Sequence, residues 1–251
     1  MKHVTVLALS LGLFTHFNSN LFAQESGQVT HAPDGGFTMR IQSISIPTIP
    51  NAPFTATVRT EVVRRLEDGS TIIRKNHRLV ARDSSGRVFE ERRMLASDDD
   101  THQSALTQIE FRNPVSQERY NCDPEGQTCH VSPYQPPPSA LPKSVGGQND
   151  QVTRVALGNS MVSGVETVGT RELTAIPASE AASNRPLTIT KEFWYSAQLG
   201  INIVTKRFDP RSGTQTFIVN DLIVGEPNPS LLEVPAGATI LRTTVQQPDQ
   251  Q

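Results

Sequence analysis

Apolar and polar residues alternate with period two from Phe54 onward. Phe54, Ala56, Val58, Thr60, Val62 and Leu66 fall on one face, with Thr55, Thr57, Arg59, Glu61 and Arg65 on the other. This is the signature of a strand with one buried side. Glu67-Asp68-Gly69-Ser70 follows as a hairpin turn, because Asp-Gly supplies the positive φ that a tight turn demands. A second strand is predicted over Thr71–Arg82, a turn at Asp83-Ser84-Ser85-Gly86, and a third strand over Arg87–Leu95. Phe54–Leu95 thus reads as a three-stranded antiparallel meander.

The theme continues downstream. Strands are predicted at Leu106–Phe111, Arg119–Cys122, Val152–Leu157, Met161–Ile176, Leu187–Tyr195, Ile201–Phe208 and Gln215–Val224. Ala178–Ser183 has helical propensity between Pro177 and Pro186, and Pro229–Leu232 fits one helical turn. The expected fold is mainly β: a curved antiparallel sheet, half-barrel-like, of about ten strands with little helix.

The flanks differ from this pattern. Met1-Lys2-His3, then the apolar run Val4–Phe14, then Leu21-Phe22-Ala23, have the layout of a secretory signal peptide over residues 1–23, cleaved near Ala23. The apolar run is too short to span a bilayer as a helix, and no later segment is apolar enough to do so. The expected location is therefore outside the cytoplasm, periplasmic or secreted. Residues 24–53 are expected to be extended: Pro33, Pro47, Pro50 and Pro53 forbid a long helix, while Ile41, Ile44 and Ile46 offer apolar anchors. Residues 54–240 are expected to form one β domain, with a Pro/Gly-rich loop at 133–150 and a polar tail at 241–251.

Charge narrows the functional classes. The 251 residues carry 23 Lys plus Arg against 25 Asp plus Glu, so no basic excess exists to neutralise phosphates and nucleic acid is not an expected partner. Arg74, Arg78, Arg82, Arg87, Arg92 and Arg93 crowd two strands. Their ordinary reading is a solvated sheet face paired with Glu61, Glu90 and Glu91, and the sharper one is an anion-binding face.

The two cysteines, Cys122 and Cys129, flank Asp-Pro-Glu-Gly-Gln-Thr, which is strong turn chemistry. In an exported chain this predicts a disulfide stapling a hairpin. His130 raises a metal or haem reading, but haem attachment wants two residues between the cysteines and zinc wants a further ligand. Ser97-Asp98-Asp99-Asp100 lacks the Gly and the later Glu of a calcium loop. Gly158-Asn159-Ser160-Met161-Val162 misses a nucleophile elbow at its last position. His31, His77, His102 and His130 have no partner at triad or metal spacing, and Glu166 and Glu192 are the carboxylates left as catalytic candidates. No cofactor, metal or catalytic residue is expected. Trp194 and Tyr195, adjacent on one strand, point to opposite faces and are the candidate ligand or partner contacts.

Lys191-Glu192-Phe193-Trp194-Tyr195, then Leu199-Gly200-Ile201, then Asp209-Pro210-Arg211-Ser212-Gly213, then Leu232-Glu233-Val234-Pro235-Ala236-Gly237-Ala238, form an ordered set. The order resembles the LolA-like lipoprotein-carrier half-barrel proteins of the bacterial envelope, and the related N-terminal domain of a periplasmic sigma-factor regulator. Phe54-Thr55-Ala56, Asp68-Gly69 and Arg82-Asp83-Ser84-Ser85-Gly86-Arg87 fit the front half. The chain is also similar to uncharacterised exported bacterial proteins with the same kind of ending. The resemblance implies a non-enzymatic binding protein that carries or senses an apolar ligand or lipoprotein in the cell envelope. The alternative is a protein–protein interaction or assembly module of the envelope, and a hydrolase on a β scaffold stands third. The carriers open with an amphipathic helix, which the Pro-rich residues 25–50 do not supply.

Overall fold

The computed structural model describes residues 43–96, 104–135 and 152–242. The signal peptide, the acidic loop at Asp98–Asp100, most of the loop at 133–150 and most of the tail at 241–251 lie outside the described residues.

The first meander forms as the alternation dictates. β1 (Phe54–Arg65) pairs antiparallel with β2 (Thr71–Arg82) along its whole length, from Phe54↔Arg82 to Arg65↔Thr71. Asp68 Oδ1 accepts from the Ser70 backbone N–H at 2.9 Å, which fixes the turn. β3 (Val88–Arg93), β4 (Leu106–Asn113), β5 (Glu118–Cys122) and β6 (Thr128–Pro133) continue outward, each antiparallel to the one before.

β7 (Val152–Val162), β8 (Val165–Ile176), β9 (Leu187–Ser196), β10 (Ile201–Asp209) and β11 (Gly213–Val224) form a second run of hairpins. β11 pairs antiparallel with β1 and joins the two runs. The single sheet has the order β12-β6-β5-β4-β3-β2-β1-β11-β10-β9-β8-β7, where β12 is Thr239–Arg242. It does not close: β12 and β7 are its edges.

Two expectations are corrected. Among the described residues the sheet has twelve strands rather than about ten, and it is mixed, because β12 runs parallel to β6. The strand expected over Met161–Ile176 starts later, because Met161 and Val162 end β7 and a turn separates them from β8. Ser163 (φ 49°) and Gly164 (φ 81°) make a two-residue turn of left-handed residues, hidden in the sequence by the apolar residues on both sides. The helix expected within Ala178–Ser183 is α1 (Ala178–Ala181), and the helical turn expected at Pro229–Leu232 is a 3-10 turn.

Each face of the sheet carries a core packed by the chain itself. On one face Phe54, Ala56, Val58, Val80, Val88, Phe193, Ile201, Ile203, Phe217 and Val219 form an apolar trough. Ile44 and Ile46 of the extended segment 43–53 fill it, each only 1% exposed, together with Leu199 of the β9–β10 turn. The β7–β8 tip folds back over the same face. Val165 is buried there, and Ser163 Oγ donates to the Val219 carbonyl at 2.6 Å. On the other face Ala81, Phe89, Phe111, Cys122, Cys129 and Leu232 form a second core, sealed by Leu231, Val234 and Ala238 as the chain crosses from β11 toward β12.

Candidate functional site

The segment 43–53 is held across the trough by one side chain. Arg82, at the end of β2, is fully buried. Its Nε donates to the Ala52 carbonyl at 2.9 Å, Nη1 to Pro47 at 2.9 Å and Nη2 to Leu199 at 2.5 Å. Its guanidinium lies 4.9 Å from the Phe54 ring centroid, a cation–π contact. Burial, with Arg112 nearby, pulls its pKa down to about 10, so it stays charged at neutral pH. Two glycines make room for the strap. Gly86 (φ 85°) would place a Cβ 3.1 Å from the Thr48 carbonyl oxygen, and a Cβ on Gly200 (φ 64°) would collide with Ile49 Cδ1.

A cleft of about 410 Å³ opens beside this strap, lined by charge rather than by apolar surface. Glu90 sits between Arg78 Nη1 at 3.2 Å and Arg112 Nη2 at 2.8 Å. Glu110 sits between Arg112 Nε at 3.1 Å and Arg92 Nη2 at 2.8 Å. Arg93 Nε pairs with Glu91 Oε2 at 2.8 Å. Burial pushes the Glu90 carboxyl up, but Arg112 and Arg78 more than offset it and hold it below its ordinary value. Burial also opposes charge on Arg112, yet Glu90 and Glu110 raise its pKa above the ordinary value. Arg78 Nη2 reaches back to Ser43 Oγ at 2.6 Å and to the Ile44 carbonyl at 2.9 Å, so this network too grips the strap. The solvated-face expectation for the arginines is thus corrected for Arg78 and Arg82, which are buried, while Arg74 and Arg92 remain exposed.

Trp194 and Tyr195 do point to different surroundings. Trp194 Nε1 donates to Glu192 Oε1 at 3.0 Å, and its ring lies over Gly169, where a Cβ would come within 2.8 Å of Cζ3. Tyr195 is 8% exposed and lines a second cavity of about 540 Å³ with Met161, Val168, Glu166 and Gln198. The two catalytic candidates are therefore apart in their surroundings. Burial pushes the Glu192 carboxyl up, but donors from Arg171 (2.9 Å) and Trp194 hold it below its ordinary value, so it is an ionised acceptor at neutral pH.

Cys122 and Cys129 form a disulfide between directly opposed residues of β5 and β6, with Cα atoms 4.0 Å apart. Both are buried, whereas His130 is exposed and alternates to the other face, so the cysteines and His130 do not converge. Among the described residues no three His, Cys, Asp or Glu side chains group as metal ligands.

The sheet edges are unequal. β12 has four exposed residues. β7 has eleven residues, eight of them exposed, with Val155 40% and Met161 64% exposed.

No family model matches the chain, and no curated protein sequence matches it. Solved structures similar to it include the MucA/MucB complex of Pseudomonas aeruginosa, at 15% identity and TM-score 0.43, covering 77% of this chain and 59% of that one. This chain thus spans well under two thirds of that relative's length. An uncharacterized conserved protein from Thermus thermophilus is similar at 11% identity and TM-score 0.40, covering 76% of this chain and 90% of that one. The LolA superfamily protein NE2245 from Nitrosomonas europaea is similar at 10% identity and TM-score 0.27, covering 74% and 91%.

Proposed function

We propose that this chain is an exported, non-enzymatic binding protein of the bacterial envelope, and that it takes a protein partner by strand addition at β7. The observation that carries this reading is the contrast between the two apolar surfaces. The trough, where an acyl chain would lie, is occupied by Ile44, Ile46 and Leu199 of the chain itself. Among the described residues the β7 edge has no neighbouring strand; it is long and bears exposed Val155 and Met161. An edge strand presents a row of unpaired backbone donors and acceptors, which a partner segment satisfies while its alternate side chains supply specificity.

Site-specific photocrosslinking from Ala156 in living cells tests this. A discrete protein adduct is expected from Ala156 and not from Thr107, which lies on β4 inside the sheet. Val155→Lys should abolish the adduct, since a charge on an edge strand blocks pairing. No adduct, or one that Val155→Lys leaves intact, contradicts the reading.

A second reading has its own observation. The 540 Å³ cavity lined by Met161, Val168 and the Tyr195 ring supports a site for a short apolar chain, with Tyr195 as its contact.

A further inference from the structure

The charged cleft beside the strap has features that the partner-binding reading does not use. Four guanidiniums line it, from Arg78, Arg92, Arg93 and Arg112, against three carboxylates, from Glu90, Glu91 and Glu110. The alternating chain Arg78–Glu90–Arg112–Glu110–Arg92 begins and ends on a cation. Arg92 is the half-exposed end of it. Its Nη2 is committed to Glu110, and its side chain is 55% exposed. Asn76 stands on the same wall, 7% exposed. Its Nδ2 donates to the Arg93 carbonyl at 2.9 Å, which fixes the amide orientation, and its Oδ1 has no partner among the described residues. A buried acceptor without a donor destabilises the fold, so such an atom beside a cleft asks for a ligand or a water. Arg78 Nε is a second buried atom without a hydrogen-bond partner among the described residues.

We propose that this cleft binds a small carboxylate that also carries a hydroxyl or amide donor. The one guanidinium in excess of the carboxylates among the described lining residues takes the ligand's carboxylate, for which the planar fork of Arg92 is suited. Asn76 Oδ1 takes the ligand's hydrogen-bond donor. The cleft volume of about 410 Å³ admits one sugar-acid ring or one acylated amino acid. The neighbouring Ser43 Oγ, held by Arg78, makes the strap part of the wall, so a bound ligand also braces residues 43–46.

Titration calorimetry on the folded chain tests the assignment, with galacturonate and N-acetylglycine as probes. Galactose lacks the charge, and acetate lacks the second donor. At least one probe is expected to bind saturably with Kd of about 1 mM or tighter, and both controls at least about tenfold more weakly. Arg92→Ala should weaken the bound probe roughly tenfold or more. Asn76→Ala should weaken it too. Because Asn76 also holds the Arg93 carbonyl, the more exposed Arg92 keeps the test decisive if Asn76→Ala fails to fold. No saturable binding by either probe means that water alone satisfies Asn76, and overturns the proposal. Equal binding of galactose, or undiminished binding by Arg92→Ala, overturns it as well.

Discussion

At the scale of single residues, Arg82 ties the fold together. A guanidinium carries five donors in a fixed fork, so one side chain can satisfy carbonyls from separate segments. Here it joins Pro47 and Ala52 of the strap to Leu199 of the β9–β10 turn. Arg82→Met would leave those three carbonyls without donors. The expected loss is about 2–4 kcal/mol in urea unfolding, with hydrogen-exchange protection falling first at Ile44 and Ile46. A loss below about 0.5 kcal/mol, typical of a surface site, would contradict the role. Asp209 makes a second prediction. Its carboxylate is buried against Arg211, which donates from Nε and Nη2 at 3.0 Å, and against Arg207 Nη2 at 2.7 Å. The Arg211 hydrogen bonds, with the Arg211 N–H and Arg207, outweigh burial and draw its pKa down to about 2. A depressed folded pKa adds stability that is fully present above the ordinary carboxylate value and is lost as pH falls through the folded value. Stability of the parent chain should therefore decline between about pH 4 and pH 2 by an extra amount that Asp209→Asn lacks. Allowing for solvent screening, that difference is on the order of 1 kcal/mol, readable by denaturant unfolding across that range.

At the scale of elements, the strands were legible wherever period two met a strong turn. β2 and the meander turns at Asp68-Gly69 and Ser85-Gly86 follow directly from alternation and glycine placement. The β7–β8 turn was not, because Ser163-Gly164 interrupts an apolar run without polar flanks. β12 was not, because four exposed residues carry no burial pattern. Arg82 looked like surface for the same reason: alternation reports which face a side chain takes, not what covers that face. Sequence did announce the stapled hairpin, since turn residues between two cysteines leave few other uses for them. Replacing Cys122 and Cys129 with alanine should lower stability by about 2–3 kcal/mol, the chain-entropy value for so short a loop, measured by chemical denaturation. An unchanged midpoint would show that the β5–β6 hairpin and the Leu232 contacts hold without the staple.

At the scale of the whole molecule, the first and last segments complete what the sheet leaves open. The strap fills the apolar trough on one face, and the run from β11 to β12 seals the second core on the other. The apolar trough is thus already occupied by Ile44, Ile46 and Leu199, which is why the proposals above rest on the β7 edge and the charged cleft. The candidate pair Trp194 and Tyr195 was legible as a change of face, but not the cavity beneath Tyr195. That cavity depends on the β7–β8 tip folding back onto β11, a long-range packing event without a local pattern.

The central claim is that the trough is filled by the chain and not by a lipid. Native mass spectrometry of the protein purified gently from the cell envelope tests it most directly. The expected result is the mass of residues 24–251 less two hydrogens for the disulfide, with no retained lipid. An acyl-chain mass that stays bound in the gas phase and leaves on organic extraction would contradict the claim and favour carriage of an apolar ligand.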